Sequence, residues 1–327
     1  MPSPHFDVVG IGNALVDVIA HADDEFLDEH GLVKGSMELI DTERAMQLYR
    51  ALGTPVEMSG GSAANTMCGV ASLGGRAAYI GKVSDDELGR VFGHDLNALG
   101  VSFRRGAPAA DTPTGRCIIV VTPDAQRTMN TYLGVSSLLC ADDLDEAAIG
   151  DGAVLYMEGY LFDRDDAKKA FRRAAGVAHD AGRKVSLTLS DSFCVDRHRQ
   201  DFAALVRDEV DILFGNSDEL CSLYELSSLD DAIDRVRSEC ELAAITAGKE
   251  GSYIVTSDDV VKVAAEPIAR VLDTTGAGDL YAAGFLYGLT HGLALAECGR
   301  LGSVAAAEVI AHVGARPVAS LRRLARL

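Results

Sequence analysis

Asp273-Thr274-Thr275-Gly276-Ala277-Gly278-Asp279 runs directly into Leu280-Tyr281-Ala282-Ala283-Gly284-Phe285, a polar glycine turn joined to an apolar helical stretch. Small residues at 276 to 278 let the backbone come close to a ligand, and a helix starting there aims unpaired N–H groups and a partial positive charge at it. Asp279 falls in the first turn, where it can take a proton from a nucleophile attacking the bound group. Read this way, the string is an anion site with a base beside it. Taken alone it is equally a glycine turn followed by an acidic first-turn residue, so the rest of the chain must choose.

Upstream, short apolar runs at 6–11, 77–81, 153–157, 185–189, 210–214 and 242–246 read as buried strands. Segments of helical period lie between many of them, at 63–73, 87–99, 165–181, 218–223 and 230–240. This alternation predicts an α/β fold: a mainly parallel sheet covered on both faces, with ligands at the carboxyl ends of its strands. Residues 17–41 and 112–134 break the pattern with turn residues and short strand-like runs, so they are expected to form a small β lid. The large α/β domain would then comprise 1–16, 42–111 and 135–327. A lid suits chemistry from which water must be excluded.

The bulk properties narrow the partners. A chain of 327 residues with 48% apolar and 24% charged residues can bury a substantial core. Its net charge of −19 opposes nucleic acid and anionic membrane as partners, since both need Lys and Arg to neutralise phosphates. Cys68, Cys117, Cys140, Cys194, Cys221, Cys240 and Cys298 are scattered singly, which fits buried thiols in a reducing cytosol. Residues 1–7 have no basic n-region or apolar h-region, so a cytoplasmic protein is expected. The apolar stretch 280–296 contains Tyr, Gly, Thr and His and is short for a membrane span, so it reads as a core helix.

Four further turns follow strands or open helices. Asn13 and Asp17 offer an amide and a carboxylate to vicinal hydroxyls, or simply form an Asx turn. Ser59-Gly60-Gly61-Ser62-Ala63-Ala64-Asn65 opens a helix with glycines for close approach and an Asn to face a substrate. Asn216-Ser217-Asp218-Glu219 places an amide and a carboxylate where Mg²⁺ and its waters would sit, or caps a helix. Thr246-Ala247-Gly248-Lys249-Glu250-Gly251 offers a hydroxyl, backbone N–H groups and a Lys to phosphates, or is a glycine turn. No Walker A sequence is present, because neither Gly81-Lys82 nor Gly248-Lys249 has the required preceding Gly. Gly10-Ile11-Gly12 begins like a dinucleotide fingerprint, but Leu15 replaces the third Gly. A dinucleotide-dependent oxidoreductase would also leave 273–279 unexplained.

In this order the motifs resemble the ribokinase-like (PfkB) family of carbohydrate and nucleoside kinases, whose signature D-T-x-G-A-G-D is matched in full by residues 273–279. The resemblance covers nearly the whole chain and implies a three-layer αβα sandwich with a small β-sheet lid. It also implies ATP-dependent phosphorylation of a hydroxymethyl group. Asp279 would deprotonate the acceptor, and the N–H groups of Gly276, Ala277 and Gly278 would stabilise the transferred phosphoryl. Asn216 and Glu219 would organise Mg²⁺, Glu219 through water, while Thr246, Gly248 and Gly251 would hold ATP. Asn13, Asp17, Gly60, Gly61 and Asn65 would hold sugar hydroxyls. Many members also bind a monovalent cation such as K⁺, for which Asp273, Thr275 and Gly314 stand in suitable order. Arg127 resembles a lid arginine that closes on the phosphates; its alternative is a solvated charge at a hairpin tip.

The acceptor is less plainly written. Roughly forty residues separate Asp17 from Gly60, as in adenosine kinases, and Leu187-Thr188-Leu189-Ser190-Asp191-Ser192-Phe193 resembles that branch's N-L-S-x-P-F segment. Ser62 replaces the Lys usual in ribokinases. Against this, the branch's adjacent Phe residues, one of which stacks on the purine, are here Gly159-Tyr160-Leu161-Phe162. Phe162 and Phe193 are the candidates to replace that contact. The expectation is transfer to a nucleoside 5′-hydroxyl, adenosine first and a free sugar such as ribose or fructose second, by a monomer or homodimer. A noncatalytic binder is disfavoured because Asp279 is kept together with Asn216 and Glu219.

Overall fold

Residues 3–107, 111–124 and 126–327 are described by the computed structural model. Chain order gives strands β1 (Phe6–Ile11), β2 (Leu15–His21), β3 (Met37–Leu39), β4 (Val56–Gly60), β5 (Ala77–Gly81), β6 (Val101–Arg105) and β7 (Gly115–Val121). They continue as β8 (Arg127–Tyr132), β9 (Gly152–Glu158), β10 (Lys184–Thr188), β11 (Ile212–Asn216), β12 (Leu242–Thr246), β13 (Ser252–Thr256) and β14 (Val260–Val263). The main sheet runs β14-β13-β12-β11-β10-β9-β1-β5-β6, parallel from β12 to β6, with β13 and β14 added antiparallel at one edge.

Its central strands are apolar on both sides because helices cover both faces. Val8 of β1 packs into one layer with Met67, Leu280, Phe285 and Leu301. Val9 and Ile11 pack into the opposite layer with Phe171, Val195, Phe202 and Leu220. The stretch 280–296, expected to be one core helix, is two: Ala277–Thr290 and Leu295–Val309, separated by a turn in which Gly292 takes φ 72°. These helices touch at Gly284, where a Cβ would lie 2.4 Å from the Leu301 carbonyl oxygen. Among the described residues no helix is long and apolar enough to cross a membrane.

The second sheet has the order β3-β8-β7-β2-β4. Period-two patterning gives it two different faces. Val16, Val18, Ile118 and Val120 face the core with Leu27 of the helix Asp24–Glu29 and Leu48 of the helix Thr42–Ala51. Leu15, Asp17, Cys117 and Ile119 line the cleft instead. The sheet reaches beyond 17–41 and 112–134, because β2 begins at Leu15 and β4 adds an outer strand. The Ser59-Gly60 end of β4 carries no strand pattern in sequence, and only pairing with β2 makes it a strand. Region 17–41 also holds the short helix Asp24–Glu29, capped by Asp23. β4 passes through Gly61 directly into the main-body helix Ser62–Leu73.

Candidate active site

A cleft of about 1310 Å³ lies between the two sheets. Asn13, Glu158, Thr188, Asn216 and Thr246 line it, each at or just past the carboxyl end of one of the adjacent parallel strands β1, β9, β10, β11 and β12. Such ends gather backbone dipoles and helix starts at one edge, which is where open α/β sheets bind ligands.

The signature turn sits at this edge. Gly276 is the N-cap of the helix Ala277–Thr290 in the left-handed conformation, φ 79°, with no side chain capping the helix. A Cβ there would lie 2.9 Å from Cα of Ala315, so both φ and space call for glycine. Of the three expected N–H donors, that of Ala277 is turned back to the Thr274 carbonyl at 3.2 Å. Among the described residues no such partner engages Gly276 or Gly278, so these two N–H groups are left free to face an anion.

Asp279 Oδ1 accepts a 2.6 Å hydrogen bond from Ser62 Oγ, and Oδ2 accepts one of 2.9 Å from Asn65 Nδ2. Burial pushes the Asp279 carboxyl above its usual range, while Ser62, Asn65 and the charge of Arg316 restrain the rise. The remaining polar atom of Asn65, Oδ1, is buried beside this carboxylate with no partner. A buried acceptor left open next to a base calls for a donor, such as a substrate hydroxyl.

Asp17 and Gly60 meet closely: a Cβ on Gly60 would lie 2.4 Å from Asp17 Oδ1. Burial raises Asp17 to about 6, against the pull of Arg316 and Arg127 and with a further push from Asp279. Gly61, φ 92°, comes so near Asn13 that a Cβ would be 2.3 Å from its carbonyl oxygen. Asn13 itself is held on both sides: its Nδ2 donates to Glu158 Oε1 at 3.0 Å, and its Oδ1 accepts from Ser136 Oγ at 3.1 Å. Glu158 also accepts from the Ala63 N–H at 2.8 Å, tying β9 to the start of the Ser62 helix. Burial pushes Glu158 to about 7, although three hydrogen bonds from Ala63 and Asn13 pull it down.

Past the end of β12, Thr246, Gly248, Lys249 and Gly251 line the cleft. Gly251, φ 92°, could carry no Cβ, which would stand 2.0 Å from the Val263 carbonyl oxygen. Asn216 and Glu219 form a reciprocal capping box, with Asn216 Nδ2 donating to Glu219 Oε1 at 2.6 Å and Glu219 N–H to Asn216 Oδ1 at 2.9 Å. The helix-cap reading of this pair is the one the geometry shows, and each Glu219 oxygen still keeps a second lone pair. Burial raises Glu219 to about 7, and Asp191, Asp218 and Asp279 add to the rise. The mutual repulsion of Glu219, Asp191, Asp218 and Asp279 would be relieved by a divalent ion held through one carboxylate and waters. Among the described residues no group of three or more His, Cys, Asp or Glu is placed to hold a metal alone.

A profile of the pfkB family of carbohydrate kinases matches residues 33–321. The chain belongs to this family. The kinase is 51% identical to the adenosine kinase of Sinorhizobium meliloti, with a TM-score of 0.90 and 98% of each chain covered. It is 46% identical to a probable sugar kinase protein from Rhizobium etli CFN 42, with a TM-score of 0.91 over 99% of this chain and 98% of the other. Guanosine-inosine kinase of Escherichia coli K12 is 28% identical over 276 residues, 80% of this chain and 63% of that protein. The protein is therefore a phosphotransferase acting on an alcohol, and kinases of the family use ATP with Mg²⁺.

In this kinase Arg127 reaches from β8 across the cleft, its Nη1 pairing with Asp273 Oδ2 and donating to Thr275 Oγ1 at 3.1 Å. It is no solvated hairpin-tip charge, because only 10% of its side chain is exposed. Asp273 is also held by the Thr275 N–H at 3.0 Å, Thr275 Oγ1 at 2.7 Å and the Gly314 N–H at 3.0 Å. Burial alone would raise Asp273, but these donors and the guanidinium hold it below its usual range. Asp273, Thr275 and Gly314 thus meet as the order of the chain implied, yet the carboxylate they share is fully engaged. A carboxylate offers about four lone-pair sites, and four donors take them. As arranged here these residues do not fit a monovalent cation.

The roof of the cleft is the lid face, where Leu15, Met37, Leu39, Ile119, Met129 and Leu133 are apolar. Phe162 cannot serve as a stacking ring, since it is 2% exposed and stacked on Phe202 with centroids 4.1 Å apart. Leu161 is buried as well. Phe193 lines the cleft 67% exposed, with the Arg197 guanidinium 4.5 Å over its ring and Arg197 fixed by Asp163 at 3.0 Å.

Sequence reasoning passed over two supports. Glu158 ends a predicted strand, and that position was the available signal. Arg316 donates to the Ser59 carbonyl at 2.9 Å and the Ala64 carbonyl at 3.0 Å, bracketing the glycine pair, and no local pattern marks it.

Proposed function

We propose that this kinase transfers the γ-phosphate of ATP to the 5′-hydroxyl of a purine nucleoside, adenosine foremost. The observation that carries the reading is that apolar Leu15, Met37, Leu39, Ile119, Met129 and Leu133 line the same cleft as the exposed ring of Phe193. A flat heterocycle gains from both surfaces, whereas the hydroxyls of a free sugar would lose water there without finding partners. The similarity to the Sinorhizobium meliloti adenosine kinase supports the same choice.

The ribose would lie over Asp17, Gly60, Gly61 and Asn65, with its 5′-hydroxyl at Asp279. That hydroxyl donates to Asp279, whose raised proton affinity makes it a stronger base than an exposed carboxylate. Asn65 Oδ1 can accept from the same ligand. Gly276 and Gly278 N–H groups receive the charge of the transferred phosphoryl, and Arg127 closes the lid over the turn. ATP would rest on Thr246, Gly248 and Gly251, and Asn216 and Glu219 would hold the waters of the Mg²⁺ that neutralises its phosphates.

An ADP-release assay over adenosine, guanosine, inosine, ribose and fructose tests the proposal. Adenosine should exceed ribose in kcat/KM by about a hundredfold, because only a nucleoside can use binding energy from the base. Turnover of ribose or fructose with none for any nucleoside would overturn it and favour the likeness to the Rhizobium etli protein.

A further inference from the structure

Asp273 is a buried carboxylate, 8% exposed, whose oxygens take hydrogen bonds from Thr275 N, Thr275 Oγ1 and Gly314 N and an ion pair from Arg127. The partner charge comes from the lid, because Arg127 begins β8 and Asp273 precedes the turn of the main body. The guanidinium pairs with Asp273 and donates to Thr275, its Nε is buried without a partner, and the only other carboxylate that feels its charge strongly among the described residues is the buried Asp17. A K⁺ ion at this carboxylate would have to displace a fixed guanidinium from a water-poor site, and the displaced cation would lose its ion pair with Asp273.

We infer that the Arg127 guanidinium takes the place of a monovalent cation at Asp273, so that closing the lid itself balances the signature turn. Two consequences follow. Activity does not depend on K⁺, because the positive charge is part of the chain. Removing that charge leaves Asp273 buried and unpaired, and K⁺ can then occupy the vacated side. The inference concerns the turn that serves any acceptor, so it stands apart from the choice of nucleoside.

The test is a salt exchange at equal ionic strength between KCl and tetramethylammonium chloride, whose cation is too large for the gap. Turnover of the wild-type chain should differ between the salts by less than about twofold, since equal ionic strength keeps screening the same and the guanidinium already fills the cation's place. Arg127→Met should lose about tenfold or more in tetramethylammonium, the effect of deleting a hydrogen bond to a charged group, and recover most of it in KCl. KCl should also raise the melting temperature of ligand-free Arg127→Met but not that of the wild type, a readout that needs no turnover. Activation of the wild type by KCl of about tenfold overturns the inference, as does an Arg127→Met variant indifferent to KCl in both measurements. If Arg127→Met does not fold, the wild-type titration decides by itself: a flat response supports the inference and activation ends it.

Discussion

The floor and the roof of the cleft are built on opposite principles. On the floor nearly every functional group is polar and has a fixed partner, as Asp279 has in Ser62 and Asn65 and Asn216 has in Glu219. The roof is a set of apolar side chains from β2, β3, β7 and β8 that define shape without directing bonds. Phosphoryl transfer needs placed charge, which a helix start supplies within a few residues of chain. Acceptor choice needs a surface, and here that surface is assembled from strands that are remote in sequence. On the function proposed above, one region sets the reaction and the other sets its substrate.

The largest effect expected on this division is at the floor. Asp279→Asn should lower kcat by about a hundred- to ten-thousand-fold while calorimetry still finds ATP and nucleoside binding. Activity within a few fold of the wild type would take the base out of the floor. A smaller effect belongs to the roof and its facing ring. Phe193→Ala should raise the nucleoside KM by about two- to tenfold, the worth of an aromatic contact, and leave kcat and the KM for ATP unchanged. If the loss appeared equally for a sugar acceptor, Phe193 would not be reading the base.

The smallest effect is on stability. Glu158 and Glu219, both at about 7, and Asp17, at about 6, bind their protons more tightly in the fold than their ordinary values of 4.5 and 3.8. Their contribution is therefore fully present below pH 3.8 to 4.5 and is lost as pH rises through 6 to 7. The melting temperature of the ligand-free kinase should fall by a few degrees across pH 4.5 to about 7, and Glu158→Gln should flatten that slope. An equally steep slope in the variant would show that Glu158 is not among the groups strained by burial.

The same contrast explains what could be read from the chain. The alternation of apolar runs with helical periods marked the main sheet, and the Gly276 turn marked the helix start that lines the cleft, because both signals are local. The lid was visible only as a break in the pattern. β4 carries no such signal because its Ser59-Gly60 end becomes a strand only through pairing with β2. The break between the two C-terminal helices was hidden because Gly284 and Gly292 differ in role but not in residue type: one permits close helix packing and the other a left-handed turn. Arg316 was illegible for another reason, since its partners are backbone carbonyls at 59 and 64, more than two hundred residues away. Phe193 was a candidate from sequence, but the choice between it and Phe162 needed burial, which separates an exposed ring from one locked on Phe202.

The passage from β4 through Gly61 into the Ser62 helix has a consequence for redesign. One short run of chain supplies the outer strand of the lid, and a residue later it supplies the hydroxyl and amide that grip Asp279. The lid is therefore not an interchangeable module with a clean seam on this side. A chimera that imports another lid to change the acceptor would have to keep residues 59 to 65 and Arg316 from one parent, or it would alter the reaction while trying to alter only the substrate.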